Sequence, residues 1–399
     1  MDRRRIRELA ERELAALKER TPGSQRMLTR ASRVLPGGVP SSFHWPIYLD
    51  RAEGARVWDV DGNDYLDFHN GFGAMVQGHA HPAIGAAVAA RYARGTHFGG
   101  PAEDAIVVAE ELVRRFGLPH WRFTNSGTES TMAAVRLARA LTGREHVVTI
   151  AGAYHGHHDA ALAGRGFTEG IPRSTRDLVH TVAFNDAAAM EQALAEHRPA
   201  CVLMEAATTH RGVVPPAPGY LQAVRELTER GGALLVLDEV KTGLTIAPGG
   251  ATGRFGLEPD IVTLAKSLGG GLPSGAVGMS EAVARLVEDG QVPVFGTYNG
   301  HPLGMAAARA SLLEVLTPAA YVRFESLSER FPPGAVALGA KGCMPGSADD
   351  PELAELFWLW GMNRGILMTR GRGLEWTLSV AHTEEDVDRY VETLAELSR

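Results

Sequence analysis

The stretch DIVTLAKSLGGGLPSG, residues 260–275, opens as an apolar run and closes in glycines, with one cation, Lys266, between them. A short apolar run bounded by turn residues reads as a buried strand. The lysine then stands where that strand meets a glycine turn. One reading is a strand end whose polar residue reaches water. The other is a nucleophile: desolvation disfavours the ammonium, lowers its pKa and frees an amine to attack carbonyls. Gly269, Gly270 and Gly271 beside it let backbone approach a ligand closely.

The same kind of run recurs on either side. WRFTNSG (121–127) reads as a strand and turn, and EHVVTIAGAYHG (145–156), ACVLMEA (200–206) and GALLVLDEV (232–240) read as buried strands. Helical periodicity fills the stretches between, as in TESTMAAVRLARALTG (128–143) and APGYLQAVRELTERGG (217–232). From about residue 80 to 310 this alternation implies an α/β fold, a mostly parallel sheet covered on both faces. Ligands of such sheets sit at the carboxyl ends of the strands. Those ends carry Ser126, Tyr154, Glu205, Asp238 and Lys266, which converge on one rim if the sheet is parallel.

The flanks differ. Residues 1–34 read as helix with a break at TPGS (21–24), and ARVWDVDGNDYLDF (55–68) as a hairpin about Asp61-Gly62. The C-terminal part reads as helix, strands, helix, which suits a smaller α+β domain. The expected division is 1–55 as N-terminal helix and loop joining the small domain, 56–310 as large domain, and 311–399 as C-terminal small domain.

Composition narrows the function. The 399 residues are 45% hydrophobic and 22% charged with a net charge of −7, ordinary for a globular protein and unsuited to a nucleic-acid partner. No apolar run is long enough to span a membrane. The arginines of MDRRRIRELAERELAALKER suggest a transit peptide, but acids interleave with them, and the spacing predicts an amphipathic helix packed on the body or on a partner subunit; a membrane-surface role is the alternative. Two cysteines in so long a chain fit a reducing compartment, hence the cytoplasm.

Local chemistry sharpens the rim. In FTNSGTES, Ser126 and Glu129 have capping-box spacing, and the helix start they mark suits an anion; a plain cap is the alternative. Asp238 follows four apolar residues, and a buried carboxylate needs a cation or strong donor; one capping a turn is the alternative. Tyr154 offers a ring to stack on a flat cofactor. His79, His81, His155, His157, His158 and Asp159 are a rival zinc constellation, but their spacing matches no established zinc pattern.

In order along the chain stand GHAHP, NSGTES, AYHGH, LDEV, AKSLGGGLPSGAVG and FGTYNGHPLG. Together they resemble the class III aminotransferases, pyridoxal-phosphate enzymes of fold type I, closest to glutamate-1-semialdehyde aminomutases and to β-amino-acid and D-phenylglycine aminotransferases. The resemblance runs from about Ser24 to the C-terminus and is weakest between Phe331 and Gly365. It implies a fold type I transferase with pyridoxal 5′-phosphate joined to Lys266 as a Schiff base. Asp238 pairs with the ring nitrogen, Val240 and Tyr154 take the two ring faces, and Ser126, Gly127 and Thr128 hold the phosphate. Thr297 is similar to a threonine that reaches the phosphate of a neighbouring subunit, which implies a homodimer with shared sites. Glu205 matches a glutamate near the ring, although Ala206 replaces the usual proline. A non-catalytic cofactor-binding member is the alternative, and the presence of both Lys266 and Asp238 weighs against it.

Substrate is read from departures. The loop GGVPSSFHW has Ser41 and Ser42 and no arginine, Leu374 stands beside Glu375 where aminomutases carry a glutamate, and the segment after HGHHD is short. These features point to an intermolecular, ping-pong aminotransferase, taking a β-amino acid or aromatic or D-amino acid donor and a keto or aldehyde acceptor; the intramolecular aminomutase reaction is the alternative. Candidate pocket residues are Phe43, Trp45, Phe72, His210, Arg211, Arg370 and Arg372. One of the last two arginines is expected to clamp a carboxylate in a bidentate fork, a solvated surface arginine being the alternative for each.

Overall fold

Leu234–Asp238 forms a strand because an unbroken apolar run suits a sheet covered on both faces, and in a computed structural model of the chain all but its first residue are buried. The structure describes residues 2–41, 46–210 and 212–397. In chain order the strands are β1 (Leu49–Glu53), β2 (Arg56–Asp59), β3 (Asp64–Asp67), β4 (His120–Thr124), β5 (Val147–Ile150), β6 (Val179–Val182), β7 (Cys201–Met204), β8 (Leu234–Asp238), β9 (Ile261–Leu264), β10 (Gly275–Met279), β11 (Val336–Leu338), β12 (Lys341–Cys343), β13 (Ile366–Leu367) and β14 (Glu375–Thr377).

The chain forms two units: Met1–Phe72 with Val76–His81 and Arg323–Arg399, and Gly73–Met75 with Pro82–Val322. The second holds a seven-stranded sheet in the order β4-β10-β9-β8-β7-β5-β6. Its pairs are parallel from β6 through β5, β7 and β8 to β9. β10 runs against both β9 and β4. The α/β, mostly parallel expectation therefore holds, with one reversed strand. β10 has no clear strand signal in the sequence because it is short and glycine-bearing. Its Gly278 sits flat under the Trp121 indole, where a Cβ would come within 2.6 Å of the ring. One face of the sheet packs Val147, Leu203, Val236, Ile261 and Val277 against Ala133, Ala134, Leu137 and Ala138 of the helix Gly127–Thr142. Small alanines let that helix lie close to the sheet, which matters because its first residues border the candidate site.

The first unit contains the sheets β1-β2-β3-β13 and β11-β12-β14. It extends to Phe72 rather than to residue 55, because β2 and β3 pair with β1 and β13. The expected N-terminal helix is Arg3–Arg20, followed after Thr21 by Pro22–Ala31. Its stripe Ile6, Leu9, Glu13 and Leu17 is buried. Ile6 and Leu9 join Leu356 and Leu397 in one apolar cluster, so this face is covered by the body of its own unit. Buried Glu13 accepts from Asn363 at 2.8 Å and from the Arg364 guanidinium at 3.2 Å. Among the described residues no helix is long and apolar enough to cross a membrane.

Gly342 of β12 lies directly across from Trp376 of β14. A Cβ there would overlap the indole, which is buried and stacked on Phe331 with ring centroids 3.7 Å apart. The ring has nowhere to go. Gly342→Ala is therefore expected to cost about 2–3 kcal/mol through overpacking, read as a lowered thermal midpoint, with Gly253→Ala, where the added methyl meets nothing within 4 Å, as the comparison.

Candidate active site

β9 ends at Leu264, and Lys266 opens the single turn Lys266–Gly269. Its φ of 46° is in the left-handed region, a conformation costing a side-chain-bearing residue about 1–3 kcal/mol and concentrated at functional sites. Ser267 pins the turn by donating its hydroxyl to the Gly243 carbonyl at 2.8 Å. Burial, reinforced by the nearby Lys241 cation, brings the Lys266 ammonium down to about 8, against the opposing pull of Asp238 and Glu205. The apolar run ahead of the lysine is thus what makes its amine available near neutral pH.

Asp238, at the end of β8, is 3% exposed. Its Oδ2 accepts from Nδ1 of His155 at 2.6 Å, and its Oδ1 from the Val240 N–H at 2.9 Å and the Thr263 hydroxyl at 3.3 Å. The carboxylate is oriented by three donors from three segments. Ser126 caps the helix Gly127–Thr142, accepting from the Glu129 N–H at 3.2 Å. The reciprocal bond of the expected capping box goes one residue earlier, from the Asn125 N–H to Glu129 at 2.7 Å. Gly127 is required here, since a Cβ would meet the Val240 methyls at 2.8 and 2.9 Å. The helix start is therefore held against the residue that follows Asp238 and Glu239, with its positive dipole end facing the same space.

Glu205 is buried, and both of its oxygens are used. Oε1 accepts from the Thr209 hydroxyl, and Oε2 accepts from His210 Nδ1 at 2.7 Å. Burial would raise this carboxyl, but His210, Thr209 and Lys241 outweigh it and bring it down to about 2. Lys241 donates to the Thr209 carbonyl. The rings of Tyr154 and His210 lie 5.7 Å apart, and the Arg165 guanidinium stands 5.3 Å over Tyr154.

Ser126, Gly127, Thr128, Tyr154, Glu205, His210, Asp238, Val240 and Lys266 all line one cavity of about 410 Å³ within the second unit. Thr297 does not; it is exposed and lines a separate cavity of about 460 Å³ with Phe295 and Asn299. Phe72 belongs to the first unit, where its ring stands edge-on to His69 at 4.1 Å. Arg370 has a partner other than the expected substrate: its fork grips Glu355, with Nε at 2.9 and 3.0 Å and Nη2 at 2.6 Å. The glycine-rich loop folds back on its own unit and occupies the guanidinium. Arg372, half-buried in the same loop, gives its backbone N–H to Thr369. Phe43, Trp45 and Arg211 lie outside the described residues.

Sequence reading missed two ionisable side chains of the cavity, His155 and Lys241. His155 stood only as a zinc candidate, although its place in AYHGH, at the end of a strand, marks it as rim chemistry. Lys241 carried a signal too, a lysine three residues beyond Asp238 in an otherwise buried segment. Among the described residues no group of three or more His, Cys, Asp or Glu is placed to hold a metal ion. His155 spends Nδ1 on Asp238, His157 meets the Thr128 hydroxyl at 3.0 Å, and burial takes His158 down to about 4.

This geometry has close counterparts. The family model for class-III aminotransferases matches residues 39–333. Glutamate-1-semialdehyde 2,1-aminomutase 2 of Brevibacillus brevis strain 47 is 34% identical over 415 residues, covering 92% of this chain and 96% of its own. The crystal structure of a glutamate-1-semialdehyde aminomutase from Pseudomonas aeruginosa PAO1 superposes with a TM-score of 0.92 at 32% identity, covering 99% and 98%, and a variant of that enzyme was solved in complex with PMP. A β-phenylalanine aminotransferase from Variovorax paradoxus gives 0.88 at 30% identity, covering 98% and 97%. With its family signature spanning most of the sequence and its fold matched end to end, this chain belongs to the class-III aminotransferases.

Proposed function

We propose that this chain binds pyridoxal 5′-phosphate at Lys266 and moves an amino group on a small amino acid or amine. The observation that carries the reading is one cavity that combines a lysine amine brought down to about 8 with a carboxylate, Asp238, held by three donors. The residues fit the cofactor chemically. The helix start at Gly127 and Thr128 suits a phosphate, Tyr154 and Val240 suit the two faces of a flat ring, and Asp238 suits a protonated ring nitrogen. When bound, the cofactor supplies an aldehyde carbon that bonds amines and a ring that accepts electron density from the substrate.

The remaining work falls to the protein. Lys266 takes a proton from the substrate carbon and returns it elsewhere, acting as base and then acid. Asp238 holds the ring-nitrogen proton, with His155 fixing the carboxylate's direction. The helix dipole at Gly127 anchors the phosphate end, so the reacting carbon stays beside Lys266. Thr297, exposed on its separate surface, completes the phosphate site of a second copy in a homodimer. Two cysteines in 399 residues suit a cytoplasmic setting.

Of the two forms of amino transfer, the relatives named as glutamate-1-semialdehyde aminomutases favour the intramolecular one, ahead of the intermolecular transamination expected from the sequence departures. The departures carry less weight than similarity across nine-tenths of the chain. The intermolecular reading retains Leu374 and the likeness to a β-phenylalanine aminotransferase. The deciding experiment gives the holoenzyme glutamate-1-semialdehyde alone. Formation of 5-amino-4-oxopentanoate without any second substrate is the expected result. Turnover only when a separate amino donor and keto acceptor are both present would replace this reading with the intermolecular one.

A further inference from the structure

Amino donors reach an enzyme at neutral pH as ammonium ions, whose nitrogen has no electron pair with which to bond a carbonyl carbon. A base must take one proton first. Lys266 is engaged with the cofactor at that moment. Glu205 has both oxygens committed to Thr209 and His210, and Asp238 is committed to His155, Val240 and Thr263. We propose that His210, oriented by Glu205, is the base that removes this proton from the incoming substrate; the inference rests on the cofactor-dependent reading above.

The geometry of the pair sets the role. Ionised Glu205 only accepts, so the 2.7 Å contact makes Nδ1 of His210 the protonated nitrogen and leaves a lone pair on Nε2. The ring forms part of the cavity wall. A carboxylate behind one nitrogen and a reactant before the other is the arrangement that makes imidazole an effective base. Burial lowers His210 from its usual value, with Lys241 and His155 acting in the same direction and Glu205 opposing. The ring is therefore neutral and ready at pH 7. The Tyr154 ring packs beside it, with ring centroids 5.7 Å apart. In the step itself an ammonium N–H bond breaks, its electron pair returns to the amine nitrogen, and the proton bonds to Nε2. The resulting imidazolium is stabilised by Glu205.

The test compares wild-type and His210→Asn holoenzyme, with His210→Gln as a second variant, by stopped-flow recording of the cofactor's visible absorbance. The donors are glutamate-1-semialdehyde and β-phenylalanine, and methoxyamine is the control because it is already uncharged at pH 7. At pH 7 the variants are expected to react about 10²-fold more slowly with the ammonium donors and unchanged with methoxyamine, at equal cofactor content. Their deficit should shrink by about tenfold for each pH unit of increase, as free amine becomes abundant. Glu205→Gln should shift the acid limb of the wild-type profile to lower pH, since the carboxylate raises His210. Variants that match wild type with the ammonium donors, or that slow methoxyamine equally, overturn the role of His210 alone. A wild-type protein that holds no cofactor or reacts with neither donor overturns the underlying reading, and this inference with it.

Discussion

Lys266→Ala abolishes covalent capture of the cofactor and lowers turnover by about 10⁴-fold or more, since both the bond to the aldehyde and the proton transfers at the substrate carbon depend on one nitrogen. Borohydride reduction followed by peptide mass spectrometry should find the cofactor on residue 266 in wild type and on no residue in the variant. The lysine's environment adds a pH signature. With the ammonium brought down to about 8, the rate at which apo-protein captures pyridoxal phosphate should climb about tenfold per pH unit and level off just above that value. An ordinary exposed lysine would keep climbing to about 10.4. The sign follows from burial: desolvation penalises the charged form, so the reactive neutral amine is present well below the usual lysine range. A Lys266→Ala protein that still turned over substrate would end the assignment, as would a capture profile rising unbroken past pH 10.

Asp238→Asn is expected to lower turnover by about 10³-fold while leaving the fold and cofactor content nearly intact. The amide keeps an oxygen for the Val240 N–H and the Thr263 hydroxyl, so the β8 terminus has little reason to move. What disappears is the negative charge that favours a protonated ring nitrogen, together with the acceptor for His155 Nδ1, which stands 2.6 Å away and is buried. The loss should fall on kcat more than on KM, because the charge matters most as electron density moves toward the ring. Measured kcat and KM for Asn and Glu variants, with circular dichroism as the folding control, check this. A variant whose kcat stays within a few-fold of wild type would remove Asp238 from the machinery.

Much of this is legible in the sequence. Leu234–Asp238 and Ile261–Leu264 announce themselves because such apolar runs, the second broken only by Thr263, have no place but a doubly covered sheet. The polar residue that ends each run is then forced to the rim of the sheet, and that is why Asp238 and Lys266 could be named from pattern alone. Gly127 and Ser126 were legible for a related reason, since a helix start has a local grammar of cap and turn. β10 was not legible, because glycines chosen to clear Trp121 and Thr124 erase the apolar signal that marks a strand. Arg370 misled, because a sequence shows a guanidinium beside glycines but not the Glu355 carboxylate 15 residues earlier that fills its fork.

Local order along the chain thus determined the fold class, the rim and its lysine, since each depends on periodicity or on neighbours a few residues apart. Tertiary structure alone decided which polar groups meet. His155 and Asp238 are 83 positions apart, and only the parallel order of β8, β7 and β5 in one sheet brings the loop that follows β5, with His155 in it, against the carboxylate at the end of β8. The approach of Lys241 to Glu205, His210 and Lys266 is likewise a product of the folded loops, and its charge acts on each of those groups alongside the larger effect of burial. Burial and charge act through space at short range, so the protonation states that make the site reactive exist only once the chain has closed around it.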